Sequence, residues 1–353
     1  MSEYGIPYMG SKGSICDELI KVFPKADNFY DLFGGGFSVT HAMMLRRSSH
    51  YKQFHFNEIR PGICELIRAA INGKYNYDVV KPEFVTREMF FERLDTCAYT
   101  KTIWSFGSNG RDYLFSKDIE TYKKSLHNAI VFNRFDELAE KTLGLKSFNP
   151  GYDIKQKRFF LRNKIEFYRK TKVPEFLWPY LNDEHLEIVK SNQVADNFKQ
   201  LQQLGRLQQL ERLQQLGRLK QLEQLQRLEQ LQQIQGLQQI ERLERLEFYN
   251  TSYEKIQIKE NSIVYCDIPY QGTRDYGGTF SYKDFFDWAD SQPQPVFISE
   301  YNIDDPRFKL VFKTNKISML KATKTKTLKL EKVYANTSGF NLLRAGLKEP
   351  LHV

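Results

Sequence analysis

Cysteine and histidine are scarce in this 353-residue chain, at four and six residues. Cys16, Cys64, Cys97 and Cys266 form no CxxC pair and have no histidine cluster beside them. Neither a zinc site nor a disulfide framework is expected, and the cysteines read as reduced, mostly buried thiols. Also missing is any run of roughly 18 to 20 consecutive apolar residues, the length a membrane span needs. The amino-terminal MSEYGIPYMGSKGS has neither the basic nor the apolar region of a signal peptide. These absences predict a soluble, cytoplasmic protein with no membrane and no metal among its partners.

What is present supports one large domain or two modest ones, since 41% hydrophobic residues with 27% charged residues suffice for a buried core. A net charge of +9 implies an anionic partner only if the excess is concentrated. It is, because residues 309–332 hold eight lysines (309, 313, 316, 321, 324, 326, 329 and 332) against one acid, Glu331. Such a cluster fits a solvated strand face as well as a nucleic-acid contact.

Apolar strand-like runs at Asn28 to Phe33 and Gln53 to Asn57 flank a helical pattern from Ser38 to Arg47, the order of a βαβ unit. Strand-like runs return at Ser262 to Cys266, Val296 to Ser299, Leu310 to Lys313 and Leu328 to Ala335. They read as the second half of one sheet. The expected organisation is a discontinuous α/β domain (1–60 and 251–345), a mostly helical insert (61–200) and a repeat (201–247). Within the insert, helical patterns run from Tyr122 to Leu143 and from Phe159 to Tyr168.

In the repeat, Leu or Ile recurs at every third position from Leu201 to Leu246. Each triplet turns an α-helix by about 300°, so the leucine stripe slips around the helix, while in a strand it alternates faces. Composition favours helix, whereas Gly205, Gly217 and Gly236 oppose it, and a small stacked solenoid is the competing form. Seven basic and six acidic residues nearly cancel over 201–247. The repeat reads as an accessory surface for a protein partner or self-association.

Two motifs carry chemistry. In NFYDLFGGGFSVT, a strand ends at Asp31, glycines 34–36 bend the chain, and a helix starts near Ser38, offering its free N–H groups to a ligand. The missing Gly-Lys-Ser/Thr excludes a phosphate-binding P-loop, and Val39 at the last glycine position breaks the dinucleotide fingerprint. A second strand ends with Glu58, where α/β nucleoside sites hold ribose hydroxyls, though taken alone such an acid is more often a surface residue. In SIVYCDIPYQG, an apolar strand delivers Asp267, Ile268, Pro269 and Tyr270 at its carboxyl end. An exocyclic amine of a nucleobase is a poor nucleophile because its lone pair is delocalised. A carboxylate and a backbone carbonyl accepting its two N–H bonds free that lone pair, while proline fixes the backbone and tyrosine offers a stacking face.

The pair DLFGGG and DIPY, with PYMGSK ahead of both, resembles the Dam-like D12 class of DNA N6-adenine methyltransferases, in particular its phage-type members. WSFGSNGRDYLF (104–115) and FNPGY (148–152) also look like that family. Two positions depart from its pattern, Leu32 and Ile268, where proline is usual. The resemblance implies a Rossmann-like, S-adenosylmethionine-dependent methyltransferase sheet with an inserted recognition domain. It implies a cofactor site of Tyr8, Lys12, Asp31, Phe33, Gly34, Gly36, Glu58 and Asp267. The target adenine falls to Asp267, Ile268, Pro269 and Tyr270.

Double-stranded DNA is the implied partner, met by Lys321, Lys324, Lys326, Arg158 and Arg162, and restriction–modification is the implied context. No Pro-Cys is present, which excludes cytosine C5 chemistry. Methylation of cytosine N4 or of an RNA amine remains an alternative, as does a catalytically weak DNA-binding protein on the same fold.

Overall fold

The computed structural model describes residues 4–75, 81–170, 237, 243–271, 280–318 and 327–346, and within these only the backbone of 165–170, 243, 316–318 and 327–329. From the amino terminus run α1 (Cys16–Leu19), β1 (Asn28–Asp31), α2 (Ser38–Arg46), β2 (Gln53–Asn57) and α3 (Ile63–Ile71). Helices α4 (Arg87–Arg93), α5 (Ala98–Ile103), α6 (Glu120–Phe132), α7 (Glu137–Leu143) and α8 (Ile154–Lys170) follow. Then come β3 (Leu246–Tyr249), β4 (Ser262–Asp267), α9 (Tyr282–Ser291), β5 (Val296–Glu300), β6 (Lys309–Ser318), β7 (Thr327–Ala335) and α10 (Thr337–Gly346). The chain divides into two compact units, residues 1–73 with 232–353 and residues 74–231.

The first unit is built on a seven-stranded sheet in the order β3-β2-β1-β4-β5-β7-β6. Its first five strands are parallel, whereas β7 runs antiparallel to both β5 and β6. This is a mixed, mostly parallel α/β sheet of the Rossmann-like kind that the resemblance implies. Strands β1, β4 and β5 are buried at nearly every residue, as an interior parallel strand covered on both faces must be. That is why they read as unbroken apolar runs. The apolar run of β1 continues to Phe33, but the strand stops at Asp31, where the chain bends into the glycines.

Two elements fall on the sheet side of the boundaries expected from sequence. Helix α3 buries Ile63, Leu66, Ile67 and Ala70 along one face and packs within the sheet unit rather than opening the insert at residue 61. The last leucine of the triplet repeat, Leu246, pairs with Phe54 as β3 adds the edge strand beside β2. Apart from Leu237 and 243–247, the repeat lies outside the described residues, and its helical or solenoid form with it.

In the second unit, the single helical pattern from Tyr122 to Leu143 becomes two helices. Asn133 ends α6 in the left-handed region at φ 55°, and the Asp136 side chain caps α7 by accepting the Ala139 N–H at 2.9 Å. Helix α8 opens with a reciprocal cap. The Gln156 N–H donates to Asp153 Oδ1 at 2.7 Å, and the Asp153 N–H donates to Gln156 Oε1 at 2.9 Å.

The strand order creates the functional crevice. From β1 the chain crosses to β2 on one side and from β4 to β5 on the other, so the space beyond the carboxyl ends of β1 and β4 is left open. Asp31 and Asp267 end those two adjacent strands.

Candidate active site

A cavity of about 730 Å³ occupies that crevice. All eleven residues expected at the cofactor and adenine sites line it: Tyr8, Lys12, Asp31, Phe33, Gly34, Gly36, Glu58, Asp267, Ile268, Pro269 and Tyr270.

The glycine turn is packed too tightly for side chains. A Cβ on Gly34 would stand 2.0 Å from the Phe56 ring, and one on Gly36 would stand 2.5 Å from Tyr8 Cβ. The segment that carries Tyr8 is strapped onto this turn, with the Ile6 N–H donating to the Gly36 carbonyl at 2.7 Å. Gly5, at φ +73°, comes so close that a Cβ there would meet the same carbonyl oxygen at 2.3 Å. Sequence reasoning passed over Gly5 and Ile6, whose only signal is a glycine three residues before Tyr8.

Two buried carboxyls, Asp31 and Glu58, line the cavity. Asp31 Oδ2 accepts the Thr40 hydroxyl at 2.8 Å, while its Oδ1 is buried with no hydrogen-bond partner. Burial pushes its pKa up to about 7. Glu58 accepts the Gly35 N–H at 2.9 Å on one oxygen and the Arg60 N–H and Nε at 2.9 and 3.2 Å on the other. Burial likewise pushes Glu58 up to about 7. The Arg60 guanidinium lies over the Tyr8 ring, 4.1 Å from its centroid.

The tetrapeptide is held from several sides. Lys12 Nζ is 2.7 Å from Asp267 Oδ1 and 3.2 Å from Glu331 Oε1. Burial disfavours the Lys12 charge, yet these two carboxylates outweigh that effect and hold its pKa above the ordinary lysine value. The Tyr270 hydroxyl donates to Glu331, the Tyr282 hydroxyl donates to the Pro269 carbonyl at 2.9 Å, and the Gln271 N–H donates to Glu300 at 3.0 Å. Ile268 is buried in the same apolar cluster as Cys266, Phe285 and Ile298, so the bulk that replaces proline is absorbed by the core.

Residues 8–336 match the D12 class N6 adenine-specific DNA methyltransferase family. The chain belongs to that family. It is an adenine-specific DNA methyltransferase, which decides between the alternatives left open by the tetrapeptide alone. No curated protein matches it. In this methyltransferase, no described helix is long and apolar enough to cross a membrane, and no described group of His, Cys, Asp and Glu is arranged to hold a metal ion.

The residues expected on DNA fare differently. Arg162 is exposed on α8. Arg158 is only 5% exposed, because it falls on the inward stripe of the helix together with Ile154 and Leu161. It is therefore not a surface phosphate contact. Lys321, Lys324 and Lys326 lie outside the described residues. Phe148 is buried and Tyr152 exposed. Sequence reasoning missed Glu331, Arg60 and Tyr301, which line the methyltransferase cavity, and Glu300, which accepts the Gln271 N–H, although Glu331 had a signal as the one acid among eight lysines.

Proposed function

We propose that this protein transfers a methyl group from S-adenosylmethionine to N6 of an adenine extruded from duplex DNA. The observation that carries this reading is the convergence, in one cavity, of the Asp267 carboxylate held by Lys12, the tetrapeptide around it, and the buried carboxyls of Asp31 and Glu58. When bound, S-adenosylmethionine supplies an electrophilic methyl group on a positively charged sulfur. The cavity suits it, since the buried Asp31 Oδ1 lacks a partner and the glycine turn leaves backbone where any side chain would intrude. Glu58 is the acceptor for ribose hydroxyls, and Asp31, Phe33 and the glycines form the floor beneath them.

At the adenine end, Asp267 and the Ile268 carbonyl accept the two N6–H bonds and draw the lone pair out of conjugation with the ring. As N6 gains its substituent it must lose one proton, and Asp267 is the acceptor at hand. Tyr270 supplies the stacking face for the base. Positioning and preorganised acceptors account for the rate. Residues 74–200, with Arg162 outward on α8, serve target recognition, the lysine-rich β6–β7 pair meets phosphates, and the Leu triplets serve self-association or a protein partner. Incubation with methyl-labelled S-adenosylmethionine and an adenine-containing duplex is expected to place label in N6-methyladenine. DNA retention without label would make the protein a binder only.

The two raised carboxyls set a pH dependence. Ribose hydroxyls donate to the ionised form of Glu58, so the affinity for S-adenosylhomocysteine is expected to rise as pH climbs from 5 to about 7 and to level off above. Calorimetry across that range checks this, and a flat affinity would refute it. The sign for the ligand-free protein is opposite. Asp31 and Glu58 bind protons more tightly folded than unfolded, so their contribution to stability falls as pH rises from about 4 to about 7.

A further inference from the structure

Glu331 has an environment that the fold does not require. It sits on β7 opposite Thr314, between Leu330 and Lys332, and is 1% exposed. Nearby β7 residues Val333 and Ala335 are buried and apolar, and an apolar side chain at 331 would avoid the penalty of desolvating a carboxylate. What Glu331 has is two partners from the tetrapeptide machinery. Its Oε1 accepts the Tyr270 hydroxyl and stands 3.2 Å from Lys12 Nζ, the same ammonium that grips Asp267 at 2.7 Å. The Lys12 ammonium also lies 4.5 Å from the centroid of the Tyr270 ring, and Tyr301 meets that ring edge-to-face at 4.5 Å. The ring is therefore fixed at its hydroxyl by Glu331 and flanked by Lys12 and Tyr301.

We infer that Glu331 is a positioning residue for methyl transfer. Through the Tyr270 hydroxyl it sets the plane on which the target adenine stacks, and through Lys12 it sets the Asp267 carboxylate. This rests on the reading that Asp267 and Tyr270 hold the base. A side chain that acts this way leaves the cofactor half of the cavity untouched, so its loss changes kcat and not the KM for S-adenosylmethionine. Acting through Tyr270 also makes its loss non-additive with loss of the hydroxyl.

The test uses Tyr270→Phe, Glu331→Leu, their double variant and Tyr270→Ala, each assayed on duplex DNA with 2-aminopurine or adenine at the target position. Tyr270→Phe is expected to lower kcat about tenfold, the kinetic equivalent of one lost hydrogen bond, with KM for S-adenosylmethionine within about twofold. Glu331→Leu is expected to lower kcat at least as much, and the double variant to be no worse than Glu331→Leu alone. The stacked 2-aminopurine signal is expected to change in the same variants.

Wild-type kcat and unchanged 2-aminopurine emission in Tyr270→Phe would overturn the inference. So would a Glu331→Leu effect confined to melting temperature or to KM. If Glu331→Leu does not fold, Tyr270→Phe still decides, because it deletes the same hydrogen bond without touching a buried charge. Tyr270→Ala separates the two levels. Full activity there defeats the base-stacking reading itself, and the inference with it. Loss there, with Tyr270→Phe and Glu331→Leu both normal, defeats only the role of Glu331.

Discussion

An Asp267→Ala variant is expected to form N6-methyladenine on the order of 10²- to 10³-fold more slowly than the wild-type protein while retaining duplex DNA to the same extent. The carboxylate ends β4 in the crevice between β1 and β4 and lines the cavity. In the proposed mechanism, its removal takes away the acceptor on which the reactivity of the exocyclic amine depends. The fold is expected to survive, because Lys12 keeps a second carboxylate partner in Glu331 at 3.2 Å. Mass spectrometry of digested DNA gives the rate, filter retention gives DNA binding, and a melting curve confirms folding. Turnover within threefold of wild type would mean that N6 is not held at Asp267.

A Lys12→Met variant is expected to lose both activity and stability. The ammonium is the shared cation of Asp267 and Glu331, and removing one member of a buried ionic group costs about 3 to 5 kcal/mol, because the remaining charges are left uncompensated. The pH dependence of that loss has a definite sign. Without Lys12, the buried Glu331 carboxyl loses the cation that offsets its burial and holds its proton more tightly than in the unfolded chain. The folded variant then gains relative to the unfolded chain as pH falls. Urea denaturation is expected to show a larger deficit against wild type at pH 8 than at pH 5. An equal deficit at both would mean that Lys12 does not hold Glu331 ionised.

The parts of the structure that could be read in advance are those whose meaning is local. The β1 and β4 runs are continuous because both faces are covered, and Gly34 to Gly36 announce a bend because only backbone fits there. The tetrapeptide was recognisable because its four residues are contiguous and one chemical use accounts for all of them. What stayed hidden depends on partners distant in sequence. Glu331 looked like a stray acid in a lysine tract until β7 brought it to Lys12 and Tyr270. Gly5 had no meaning without the Gly36 carbonyl pressed against it. Arg158 and Arg162 are indistinguishable by composition, and only the helical phase of α8 turns one inward and the other out.

The order of strands in the sheet also has a consequence in time. Asn28, at the start of β1, hydrogen-bonds to Glu260, 232 residues later, and Gln53 of β2 reaches Glu247, 194 residues later. During synthesis at roughly 5 to 20 residues per second, the first two apolar strands therefore wait about 10 to 50 seconds for the neighbours that flank them. Through that interval a nascent chain exposes Phe29, Tyr30, Phe54 and Phe56, all fully buried at the end. A strand pair that waits that long for its flanking neighbours is open to association with other chains until the last third of the polypeptide emerges.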